Sequence, residues 1–163
     1  MSAAEVLYTN PTLESLPNDR CRAAFQFWLS ARGRAELPSP TAIDPSRLPP
    51  SLLPNLSVYG VEEGEKRFRF RLVGRAIVEG IGHDPTGEYF EDVPNAGSLV
   101  GRFVECVESR RPYFYGGPLF WKNNEIATYR SLVMPFAMPS GPVTRLMTYS
   151  EYDWIYGPHL AKA

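Results

Sequence analysis

The hydrophobic positions of this chain follow two rhythms, one of helix and one of strand. From Asn18 onward, Cys21, Ala24, Phe25, Trp28, Leu29 and Arg32 recur at the spacing of one helix face. Asn18 supplies a cap, Asp19 suits the positive N-terminal end, and Gly33 is a stop. The pattern predicts an amphipathic helix over 18–33. Leu99, Val100, Phe103, Cys106 and Val107 form a second apolar stripe, which predicts the main helix over 96–110. Between the two, residues 67–73 alternate. Phe68, Phe70 and Leu72 fall on one face, and Arg67, Arg69 and Arg71 on the other, as in a half-buried antiparallel strand.

Other strands are expected at 56–62, 113–121, 126–138 and 143–154. Glu63-Gly64-Glu65-Lys66, Lys122-Asn123-Asn124-Glu125 and Pro139-Ser140-Gly141-Pro142 serve as turns. Pro135 inside the fourth strand marks an edge position or a bulge. A short helix is expected over 75–81, a glycine-bracketed turn over 82–87, and a helical piece over 89–93. Residues 34–54 hold six prolines and read as an ordered connector, because Ile43, Leu48, Leu52 and Leu53 need burial. The chain thus divides into a loose arm (1–17), the N-terminal helix and Pro-rich connector (18–55), an α+β core (56–154) and a C-terminal tail (155–163).

This order resembles the PAS fold: a five-stranded antiparallel sheet with short helices and one longer helix on one face. Here an N-terminal amphipathic helix precedes it. The resembling residues are Trp28-x3-Arg32, Ile43-Asp44-Pro45, Leu52-Leu53-Pro54, Phe68-x-Phe70-Arg71-Leu72-Val73-Gly74 and Gly82-x-Asp84-x2-Gly87. Within PAS, the chain is similar to a bacterial stand-alone subfamily of sensory domains. The resemblance implies binding of a small ligand between sheet and helices, or pairing with a partner protein.

Composition narrows the classes. The 163 residues suit one domain, and 17 basic against 18 acidic residues leave no electrostatic footprint for nucleic acid or an anionic membrane. No apolar run approaches the roughly 20 residues of a membrane span. The N-terminus lacks the regions of a signal peptide, so a cytoplasmic location is expected. Cys21 and Cys106 fall among apolar helix positions and read as inert buried thiols.

Specific chemistry is sparse. Haem-carrying PAS domains usually place a histidine on the long helix, and residues 96–110 contain none. His83 reads as a turn residue, and His159 lies in the tail. The light-sensing flavin PAS domains need an Asn-Cys-Arg-Phe-Leu-Gln-type run, which has no counterpart here. The cofactor therefore stays unknown. No metal-ligand spacing or nucleophile triad emerges, so no metal or catalytic residue is assigned.

The ligand-binding candidates are Phe70, Leu72, Phe103, Val107, Phe114, Phe120, Tyr129, Ser131, Phe136 and Met147, the aromatic and apolar set of the strands and the facing helix. Structural anchors are Trp28, Arg32, Asp44, Arg71, Gly74, Gly82, Asp84 and Gly87. Arg71 either ties the strand to Asp84 or Asp44, or anchors a carboxylate or phosphate of a ligand.

The favoured expectation is a sensory or regulatory domain that binds a small apolar or aromatic ligand. It would pair as a homodimer through helix 18–33 and signal in trans to a partner protein. A ligand-free adaptor is the alternative, and a small isomerase- or dehydratase-like α+β enzyme the third. A buried carboxylate in a pocket would favour the enzyme, an aromatic cavity the sensor, and a void-free core the adaptor.

Overall fold

A computed structural model describes residues 5–155 apart from 63, 65–66, 94–95 and 122–123. The tail 156–163, with His159, and parts of two expected hairpin turns lie outside the described residues.

The strands are β1 (Val6–Thr9), β2 (Leu56–Glu62), β3 (Arg67–Val73), β4 (Tyr113–Trp121), β5 (Asn124–Ala137) and β6 (Val143–Trp154). They form one antiparallel sheet in the order β1-β4-β5-β6-β2-β3. The helices are α1 (Asp19–Arg32), α2 (Arg75–Ile81) and α3 (Gly97–Ser109). Among the described residues the sheet has six strands where five were expected. The sixth is β1, from the segment read as a loose arm, and it pairs with the edge of β4. Its four residues are all exposed, so burial patterning carried no signal for it.

Local chemistry explains the element ends. The Asn18 side chain accepts a hydrogen bond from the Cys21 N–H and caps α1. Gly82 closes α2 in a left-handed conformation at φ 97°.

Both faces of the sheet are covered. Cys21, Ala24, Phe25 and Trp28 of α1 are buried, and Trp28 reaches β5. α1 thus places its apolar face against its own sheet. That removes the exposed apolar surface on which a homodimer through this helix was expected. The other face carries Phe103, Cys106 and Val107 of α3 together with Ile77 of α2.

One irregularity changes which residues share a face. Val58 pairs with Leu72 and Tyr59 with Phe70, so Arg71 is an extra residue, a β-bulge in β3. The bulge turns Leu72 away from Phe70 and onto the side of Val58. The strict alternation expected through Leu72 therefore stops at Phe70. Pro135 satisfies both readings made of it. β5 is central in the sheet, but β4 ends opposite Val133, so β5 is locally an edge at Pro135. A register shift with β6 follows at Phe136.

Candidate functional site

Between the sheet and the α2–α3 side lies a cavity of about 90 Å³. That is room for several waters or a small organic group. Alternation along the strands builds one wall. It presents Tyr59 from β2, Phe70 from β3, Tyr113 and Tyr115 from β4, and Tyr129 and Ser131 from β5. Thr148, Ser150, Tyr152 and Trp154 of β6 continue it. The helical side adds Ile77, Gly80, Phe90, Leu99 and Phe103.

Aromatic rings organise the wall. Tyr59, Phe70, Phe90 and Phe103 pack together with ring centroids 4.8–5.8 Å apart. A second series crosses the sheet: Tyr115 on Tyr129, Tyr129 on Tyr152, and Tyr152 on Trp154, at 5.5, 6.1 and 5.1 Å. Trp154 ends this series against α2, and a Cβ at Gly80 would stand 2.9 Å from its ring. Gly80 therefore lets the indole close on the helix.

The polar side-chain groups of the wall are hydroxyls, apart from the indole N–H of Trp154. Ser131 and Ser150 face each other in register and share a hydrogen bond of 2.9 Å. Burial pushes the phenols of Tyr59, Tyr113 and Tyr129 well up, and that of Tyr152 up to about 12. They stay neutral at ordinary pH, able to donate and accept. Among the described residues, no side chain lining this cavity is charged.

A family model described as PAS domain matches residues 18–148. The chain belongs to the PAS domain family. A comparison with curated proteins gives no match. The matched segment holds β2 to β5 and the first half of β6, and β1 lies before it. PAS membership fits a sensory or regulatory role.

In this PAS domain, Phe70, Phe103, Phe120, Tyr129 and Ser131 of the expected ligand set line the cavity. Leu72, Phe114, Phe136 and Met147 do not. The bulge sends Leu72 to the opposite face, where it lines a groove with Val58. Phe136 and Met147 are out of phase with Ser131 and Thr148, so strand alternation puts them on the α1 face. Phe114 alternates with Tyr113 and Tyr115 and stacks on Tyr8 at 6.0 Å. Val107 is buried on α3, one turn beyond Phe103, and does not reach the cavity.

The anchors also sort themselves. Trp28 is buried, and the Arg32 guanidinium lies 5.2 Å above its ring. Arg71 bonds neither Asp84 nor Asp44; its ion pair is to Glu62, at 3.3 Å. This pair is half-exposed, so Arg71 is not the buried strand-to-loop tie that was expected. Asp44 and Asp84 instead stabilise their own turns, accepting from Ser46 and Thr86 two residues on. These bonds lower both carboxyls from their ordinary range. Gly87 takes φ 89° and serves a turn. Gly74 has an ordinary φ of −66° and serves a close approach instead. His83 meets Glu88 at 3.0 Å on the surface.

Tyr59, Tyr113, Thr148, Tyr152 and Trp154 escaped the sequence reading. Their signal was phase: Thr148, Ser150, Tyr152 and Trp154 fall on every second position of β6. The most apolar positions were favoured instead, and those lie under α1.

Proposed function

We propose that this PAS domain is a sensory or regulatory module whose cavity takes a small, neutral, planar ligand. The observation that carries the reading is the wall itself: stacked rings interleaved with hydroxyls, and no charged side chain among its described residues. Such a site favours ring stacking and neutral hydrogen bonds and penalises a buried ion. The open volume argues for ligand binding over a ligand-free adaptor. That the described residues of the wall include no carboxylate or imidazole argues for binding over acid–base catalysis.

The route of a signal is built into β5 and β6. Ser131 and Ser150 face the cavity, and the neighbouring pair Arg130 and Glu151 faces α1. Glu151 accepts from Asn18 at the start of α1. A ligand that repositions the two serines therefore acts on the seat of α1 through adjacent residues of the same strands. It shifts the population only by its difference in affinity between two seatings of α1. A partner protein in trans reads that difference.

Native mass spectrometry of freshly purified protein, set against its denatured mass, tests the reading. Excess mass on the folded chain gives the size of the co-purifying ligand. If the folded chain carries its own mass alone, titration with indole follows, watched by tyrosine and tryptophan fluorescence. Saturable binding that Ser131→Leu abolishes is the expected result. Absence of both excess mass and saturable indole binding overturns the proposal.

A further inference from the structure

The face opposite the cavity carries a second feature that the ligand reading leaves unused. The bulge that displaces Leu72 also places Arg71 beside Gly60. Arg145 of β6 pairs with Gly60 in register. A Cβ at Gly60 would stand 3.0 Å from Arg71 Nε and 3.7 Å from Arg145 Nη1. Two guanidinium groups thus converge over one residue without a side chain.

Their charges are poorly neutralised. Arg145 donates from Nη1 to the Thr144 carbonyl at 2.8 Å and makes no ion pair among the described residues. Arg71 has one contact of 3.3 Å to Glu62 Oε2. That oxygen already accepts from Arg69 Nε at 2.9 Å, while Glu62 Oε1 accepts from the Tyr89 hydroxyl at 2.9 Å. One carboxylate therefore serves Arg69, Tyr89 and Arg71, and Arg145 has none among the described residues. Like charges brought this close favour a bound anion.

The surroundings give that anion a shape. The two arginines border an open groove of about 380 Å³. Its floor is Val58 and Leu72, and the connector supplies Pro40, Thr41, Ile43 and Pro45 as the far wall. Among the described residues that line the groove, Thr41 is the sole polar side chain besides the arginines, and its hydroxyl is engaged with Ser39 at 2.9 Å. Donors sit at one end and apolar surface runs away from them.

We propose that this groove is a binding site for a small organic carboxylate. The carboxylate is held by Arg71 and Arg145 over Gly60, and the apolar body lies on Val58 and Leu72. Planar guanidinium groups suit a planar carboxylate. The site is separate from the cavity and stands on different residues, so it does not depend on the reading given above.

Amide NMR shifts of the labelled full chain, titrated with hexanoate and separately with acetate, test the site. Saturable shifts at Gly60, Arg71, Leu72 and Arg145 are expected, with hexanoate binding about tenfold tighter than acetate. Arg145→Gln should weaken hexanoate about tenfold while leaving the melting temperature unchanged, since no ion pair is lost. Arg71→Gln is the second variant and should weaken it likewise. Shifts that do not saturate overturn the proposal, as do shifts that centre on the cavity residues Ser131 and Thr148. So does hexanoate binding that equals acetate or that survives both substitutions.

Discussion

The indole of Trp28 donates to the carbonyl of Pro135 at 2.9 Å, in a buried contact across 107 positions of chain. β4 stops opposite Val133, so the outward groups of β5 beyond it have no strand partner. Trp28 takes one, and the Pro38 carbonyl takes another by accepting from the Ala137 N–H at 3.0 Å. α1 and the connector thus complete the sheet where β4 is missing. Trp28→Phe should cost about 1–3 kcal/mol, the cost of stranding a buried carbonyl. Trp28→Ala should cost about 3–5 kcal/mol, because a cavity is added. Urea denaturation of the two variants checks the order and the gap. A Trp28→Phe variant as stable as the parent would show that the hydrogen bond contributes nothing, and equal costs would show that the cavity adds nothing.

Gly74 joins β3 to α2 where the chain runs against the turn before β2. Its N–H donates to the Leu56 carbonyl at 2.7 Å. A Cβ there would press on the backbone carbonyls of Leu53 and Pro54, at 2.5 Å from the former. Backbone cannot swing aside as a side chain does. Gly74→Ala is therefore expected to destabilise by about 3 kcal/mol, at the upper end of overpacking costs. Gly97→Ala, in the first turn of α3 with nothing within 4 Å, should be neutral or slightly stabilising. Thermal melts of the pair separate close approach from a general intolerance of alanine for glycine.

Glu151 ties α1 to β6. Burial alone would raise its carboxyl. Hydrogen bonds from Asn18, Tyr149 and Arg130, with the Arg130 charge, outweigh that and hold it below the ordinary 4.5. A group with a lowered native pKa binds fewer protons folded than unfolded. Its contribution is therefore complete above about pH 4.5 and is lost as pH falls through the lower native value. Melting temperature followed from about pH 7 to about pH 3 should fall less steeply for Glu151→Gln than for the parent chain. Parallel profiles would remove Glu151 from the acid response.

Cys21 and Cys106 should be silent toward thiol reagents in the folded chain. Burial pushes both thiols up to about 12, and the neighbouring Glu151 charge adds to this at Cys21. Cys106 also donates to the Arg111 carbonyl at 3.1 Å. Ellman's reagent near pH 8 should find no reactive thiol before denaturation and two after it. Fast labelling of either cysteine in the native protein would mean that its helix lifts from the sheet.

Helix and strand limits were legible along the chain. α1, β2, β3 and α2 stand within a residue of the spans that periodicity, Asn18, Gly33 and Gly82 mark out. Those signals are local: 3.6- and 2-residue repeats, a cap, a glycine free to turn left-handed. The cavity-lining set was legible only in part, because both faces of the sheet are buried and hydrophobicity cannot say which face is which. Phe136 and Met147 are as apolar as any cavity residue, yet they lie under α1. Leu72 looked in phase with Phe70 until pairing with Val58 and Tyr59 forced the bulge at Arg71. β1 carries no burial pattern and exists because β4 offers it an edge. Sequence alone determined the elements other than β1 and the PAS likeness, since these depend on neighbours in the chain. The tertiary structure decided the cavity wall, the partner of Arg71 and the role of Gly74, since each depends on which distant strand or loop comes alongside.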